Sequence, residues 1–137
     1  MTEVRVTAVN APGGYKTRLD IDTGGHALIA DEPIELGGTG EGPESHSLLA
    51  SSLATCVVMT LRMYGDRKKW PLEDIRASVN LRTENPSSGF KTFFTVEIEL
   101  SGPLDAEKRA RLLEIAGKCP VHKILEHPIH IMTSLVP

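Results

Sequence analysis

Two cysteines and five histidines hold most of the reactive chemistry in this 137-residue sequence. Cys119 stands directly before Pro120. Proline favours the first position of a helix, which predicts Cys119 as that helix's cap. The free N–H groups and the dipole of a helix start favour a thiolate, and Lys118 adds positive charge beside it. A small buried residue filling space would suit the same position. Cys56 lies in the middle of an apolar run, where a free cysteine ordinarily packs as core. Its helical neighbours are Ser52, Leu53, Met59 and Thr60. The hydroxyls could bond a thiolate or their own helix backbone. The two cysteines form no CxxC pair, so there is no local redox motif.

Cys119, His122, His127 and His130 have ligand types that zinc accepts. Pro128 divides that string between a short helix and the expected last strand, so the expectation is no metal. His46 and Glu44 fall at the start of the apolar run, where a carboxylate complements a helix N-terminus. Gly37-Gly38-Thr39-Gly40 lacks the Lys-Ser/Thr that completes a phosphate loop.

Three short strands are predicted before the apolar run. Val4, Val6 and Ala8 alternate with polar residues, then Tyr15, Thr17, Leu19 and Ile21, and His26 to Ala30 follow a Thr23-Gly24-Gly25 turn. Residues 31–43 are a loop rich in glycine and proline. Ser45 to Leu61 contains no Asp, Glu, Lys or Arg. It is too long for a strand, and too short and serine-rich for a membrane span. Its apolar residues surround most of the circumference, which predicts a helix buried all round. One small domain has little room for that, so a second copy is expected to cover one side. Gly65 and Pro71 are its stop signals.

Ile75 to Glu84 and Lys91 to Leu100 alternate around an Asn85-Pro86-Ser87-Ser88-Gly89 turn, a hairpin with one wet face. Asp105 caps a helix to about Gly117, and Cys119-Pro120 opens another to about Glu126. Ile129, Ile131 and Leu135 are expected to close the chain with a strand. The order β-β-β-α-β-β-α-α-β reads as an α+β fold, one domain over residues 1–137.

Composition narrows the class. Apolar residues are 40% and charged residues 24%, ordinary globular usage that excludes collagenous, disordered and disulfide-scaffold chains. A net charge of −3 and few aromatics argue against nucleic acid as a partner. The start, Met1-Thr2-Glu3-Val4-Arg5, lacks a signal-peptide pattern, so the expectation is a cytoplasmic protein with free thiols and no membrane partner.

Read together, Gly42-Pro43-Glu44-Ser45-His46-Ser47-Leu48-Leu49-Ala50-Ser51-Ser52-Leu53-Ala54-Thr55-Cys56, Met59 to Tyr64, Trp70-Pro71-Leu72-Glu73 and Lys118-Cys119-Pro120-Val121-His122-Lys123-Ile124-Leu125 resemble the OsmC/Ohr family, the osmotically inducible and organic hydroperoxide resistance proteins. The chain is closer to the less characterised OsmC-like branch. The resemblance implies an intertwined homodimer with its central helices between antiparallel sheets. It also implies a thiol peroxidase acting on small organic hydroperoxides, without metal or other cofactor. Cys56 would be the peroxidatic nucleophile, passing through a sulfenic acid, and Cys119 the resolving thiol that closes a Cys56–Cys119 disulfide. An external dithiol would reduce that disulfide by exchange. The alternative is a non-catalytic or small-molecule-binding member with a weakened redox pair.

In the hydroperoxide-resistance branch an Arg and a Glu hold the peroxidatic thiolate. The Glu position, ten before the cysteine, is His46 here, and Glu44 is the nearest carboxylate. The Arg position falls near Gly13-Gly14, where this chain has Tyr15, and Arg18 is the nearest Arg. His46, Glu44 and Arg18 are therefore the supporting candidates, with a protonated His46 able to supply the missing charge.

Overall fold

Alternating branched and polar residues build the first three strands, β1 (Val6–Asn10), β2 (Thr17–Ile21) and β3 (His26–Ala30), in a computed structural model that describes residues 2–137. They form an antiparallel sheet in the order β1-β2-β3, with Leu19 opposite Ala8 on one side and Leu28 on the other. The β1–β2 turn uses Gly13 at φ 110°, where a side chain would be strained, and the Asn10 amide donates to the carbonyls of Gly14 and Lys16. The loop from residue 31 to 43 folds around the buried Asp31, whose carboxylate accepts from the Thr39 hydroxyl and from the amides of Thr39 and Glu32. The Thr39 hydroxyl, helped by those amides, holds Asp31 below the ordinary carboxylate range.

These elements belong to the first of two compact units, which ends at Leu49; the second runs from Ala50 to Pro137. Helix α1 (Ser45–Lys68) begins in the first and supplies the spine of the second. Glu44 caps it, accepting from the amides of His46 and Ser47 at 3.1 and 2.6 Å.

In the second unit, Leu53, Val57, Leu61 and Tyr64 make one buried stripe on α1 at helical spacing. Strands β4 (Ile75–Glu84) and β5 (Lys91–Leu100) pair antiparallel, with Ala77 opposite Ile98, Val79 opposite Val96 and Leu81 opposite Phe94. The inward row of this hairpin packs on the same core, and Arg76, Asn80, Glu97 and Glu99 line the wet face. Helix α2 (Ala106–Ala116) starts at Asp105, which accepts from the Lys108 amide at 2.8 Å, and adds Leu112, Ile115 and Ala116 to the core. Helix α3 (Pro120–Glu126) follows, capped by Cys119. The α+β class, the antiparallel pairing and the element order through α3 are as the sequence predicts.

Three features differ from expectation. Residues 128–137 form no strand, because a strand needs a ladder partner and none is paired with them here. Ile131, Met132, Leu135 and Val136 are consequently exposed. Helix α1 is also not buried all round in the single chain. Met59 and Met63 lie 57% and 66% exposed, because β4, β5, α2 and α3 cover only one side. At 24 residues α1 is long and apolar enough, by length and composition alone, to cross a membrane, so the serine-rich run does not exclude that by length. Its buried stripe instead serves as core to the second unit.

Candidate active site

The Cys-Pro pair at the start of α3 determines the site. With Pro120 at the first helical position, the next amides of the turn have no intrahelical acceptor. The His122 amide donates to the Cys119 Sγ at 3.3 Å, a side-chain cap made by sulfur. The preceding amide, that of Val121, donates to the Cys56 Sγ at 3.4 Å. Both sulfurs therefore rest on consecutive N–H groups of one turn, and both thiols are free.

Their environments differ. Cys119 is fully buried and belongs to the core, whereas Cys56 is half-buried. Burial pushes the Cys119 thiol up; the His122 amide opposes this, and hydrogen-bond and charge interactions with Cys56 reinforce it. The thiolate that a helix start was expected to favour at Cys119 is therefore opposed by its burial. A seven-residue helix supplies a small dipole, and desolvation outweighs it. An amide donor to each sulfur, and a second sulfur beside the first, is an arrangement suited to interconverting a dithiol and a disulfide.

The supporting candidates are engaged within the first unit. Glu44 accepts from the His46 Nδ1 at 2.9 Å and from the Ser47 hydroxyl at 2.8 Å. The His46 ring, then the Ser47 hydroxyl and the His46 amide, hold the Glu44 carboxyl down to about 2. Arg18 Nε pairs with Asp20 Oδ1 at 2.9 Å. The structure thus brings Cys56 and Cys119 together, joins Glu44 to His46, and gives Arg18 to its strand neighbour.

Sequence reasoning missed the amides of Val121 and His122. The signal was present, since a capping cysteine before proline leaves the amides two and three positions on as donors. It weighed His122 only as a metal-ligand type and missed its pairing with Glu126, whose Oε1 lies 2.7 Å from the His122 Nε2, one turn on. His122 and Glu126 edge a cavity of about 250 Å³ floored by Leu53, Phe94, Val96 and Leu125. His127 Nδ1 donates to the Lys123 carbonyl at 2.6 Å. Among the described residues no three His, Cys, Asp or Glu side chains gather as a metal site.

A family model of OsmC-like proteins matches residues 38–134, a span that crosses both cysteines. No match is found among curated proteins. Solved structures are similar over most of the chain. An OsmC-like protein from Mycoplasma pneumoniae is 21% identical with a TM-score of 0.76, over 91% of this chain and 88% of that one. An organic hydroperoxide resistance protein from Legionella pneumophila is 24% identical with a TM-score of 0.69, over 91% and 90%. The organic hydroperoxide resistance protein OhrB of Bacillus subtilis is 25% identical with a TM-score of 0.61, over 90% of each chain.

Proposed function

The chain belongs to the family of OsmC-like proteins, and we propose that within it this protein is a thiol-dependent peroxidase that reduces small organic hydroperoxides. The observation that carries the reading is the pair of sulfurs on adjacent amides of α3. The Cys56 thiolate attacks the O–O bond, releases an alcohol and becomes a sulfenic acid. The half-buried position of Cys56 suits the nucleophile, because a thiol must be reached and ionised to react. The buried Cys119 then attacks the Cys56 sulfur and expels water, closing the disulfide. An external dithiol restores both thiols by exchange. The Val121 amide stabilises charge on the Cys56 sulfur. This chemistry calls for no metal or organic cofactor.

The catalytic unit is a homodimer in this reading. A groove of about 990 Å³ runs along the uncovered side of α1, past Val58, Met59, Arg62 and Met63 to Ile75 and Arg76, and a second copy closes it. A cytoplasmic antioxidant in the response to oxidative stress fits the need for free thiols and a reducing partner.

Titrating thiols before and after one equivalent of cumene hydroperoxide tests the proposal. Loss of both thiols of each chain is expected. A second reading, a small-molecule-binding protein without turnover, is favoured by the modest support at Cys56. The Sγ of this residue takes one amide, while Arg18 and His46 are each engaged with a carboxylate. Unchanged thiols after peroxide would decide for that reading.

A further inference from the structure

The disulfide-closing step requires Cys119 to lose a proton, yet this thiol is fully buried. The hydrogen-bonded pair that follows its turn is His122 and Glu126, whose side chains are 30% and 64% exposed. His122 is the residue whose amide already holds the Cys119 sulfur. His122 follows Cys119 by three residues, the spacing at which side chains of a helical turn share one face. Its Nε2 faces Glu126 at 2.7 Å. A carboxylate there accepts the Nε2 proton and leaves Nδ1 as the basic nitrogen of the neutral ring. The remaining lining of the adjacent cavity is Leu53, Thr92, Phe94, Val96 and Leu125, so neither α1 nor β5 adds another titratable group to it.

We propose that His122 is the proton acceptor for Cys119 during disulfide closure, with Glu126 as the positioning residue that fixes its tautomer. This rests on the thiol-peroxidase reading for its physiological step but extends to any oxidant that first modifies Cys56. The Cys119 sulfur forms the S–S bond as its proton passes to His122. The Cys56 S–O bond breaks with its electron pair on oxygen, and the proton returned by the imidazolium completes a water molecule. Cys119 is oxidised and the sulfenic sulfur of Cys56 is reduced. With an aromatic disulfide as oxidant, the same transfer releases an aromatic thiol from a mixed disulfide on Cys56. An imidazole suits this because it exchanges protons near neutral pH, and positioned bases of this kind accelerate steps by roughly a hundredfold or more.

The experiment follows release of a chromogenic aromatic thiol in stopped flow. The first phase reports attack by Cys56 and the second reports closure by Cys119. His122→Ala and the neutral, similarly sized His122→Gln should slow the second phase at about pH 7 by at least roughly tenfold. Closure in both variants should become steeply dependent on hydroxide, and added free imidazole should restore the Ala variant. In ¹⁵N spectra the His122 ring should show the Nε2–H tautomer, lost in Glu126→Ala and kept in part in Glu126→Gln. Second phases of equal rate and pH dependence in all the proteins would overturn the assignment, whatever peroxide does. If the second phase depends on His122 while cumene hydroperoxide leaves the thiols intact, the relay stands and the peroxidase reading falls.

Discussion

Cys56 and Cys119 set their sulfurs on consecutive amides of a single helical turn, Val121 N–H at 3.4 Å for one and His122 N–H at 3.3 Å for the other. The arrangement depends on Pro120, which starts the helix without a donor of its own and leaves the next two amides to the sulfurs. One element therefore aligns two residues that are far apart in sequence. It also assigns them different tasks, because one sulfur is half-exposed and the other is sealed in the core.

That asymmetry predicts the order of events. Cys56→Ser should abolish consumption of cumene hydroperoxide. Cys119→Ser should complete one turnover and accumulate a sulfenic acid on Cys56, trapped by dimedone as a mass increment on the peptide that contains residue 56. Loss of that first turnover in Cys119→Ser, with trapping on Cys119 in the Cys56→Ser protein, would reverse the roles.

Much of this positioning is legible in the chain itself. Asp105 as a cap and Pro120 after Cys119 are local signals, and local signals report element starts well. The period-two rows of β4 and β5 likewise give their register, since one slipped residue would turn Val79 and Val96 to water. What a single sequence lacks is the third dimension of the same rows. Cys56 reads as core because its neighbours are apolar, and nothing in the run shows that its side of α1 meets the amide of Val121. The failure at Ile129 to Leu135 has the same origin. Alternation predicts a strand, but only a partner edge makes one, and residues 128–137 pair with none here.

The core of the second unit should be sensitive to volume. Leu112 of α2 is fully buried against the α1 stripe. Leu112→Ala should cost about 2–5 kcal/mol, the range for a truncated core leucine. Urea unfolding measures it. Leu113→Ala, next in sequence and exposed, should stay within about 0.5 kcal/mol.

The uncovered side of α1 predicts assembly. Met59 and Met63 stand one turn apart on that side and line its groove. Sedimentation at micromolar concentration should give a dimer, and Met59→Glu with Met63→Glu should yield monomers by placing charge in the interface. A folded monomer in the unaltered protein would remove the second copy from the mechanism.

Acid should weaken the start of α1. The Glu44 carboxyl, near 4.5 when free, is held at about 2 by the His46 ring, the Ser47 hydroxyl and two amides. A carboxyl depressed by folding stabilises the native state above its unfolded pKa and loses that contribution as pH falls through the folded value. The contribution of Glu44 should be whole above about pH 4.5 and drain away toward about pH 2. The urea midpoint of Glu44→Gln should lie below that of the parent at neutral pH, and the gap should close across that window. A gap that is constant with pH would show that shape, not charge, makes the cap.

The position of His46 bears on how the Cys56 thiolate is supported. An imidazolium serving that sulfur would raise reactivity near neutrality, replacing the Arg of the hydroperoxide-resistance branch with a cation that titrates. The His46 Nδ1 instead faces Glu44 at 2.9 Å, and the side chain is 72% exposed. The donor to the Cys56 sulfur is an amide that cannot titrate. The expected outcome is therefore that His46→Ala leaves the pH profile of Cys56 alkylation by iodoacetamide unchanged, measured in a Cys119→Ser background. The same substitution should lower the urea midpoint slightly by removing a partner of the α1 cap. If the imidazolium does serve the sulfur, alkylation at about pH 7 should instead slow by roughly tenfold, about 1.4 kcal/mol of lost thiolate stabilisation. His46→Gln separates charge from hydrogen bonding, because the amide can bond Glu44 but carries no charge. A Gln variant as slow as the Ala variant would assign the effect to charge, and the amide of Val121 would then be only part of what holds the thiolate.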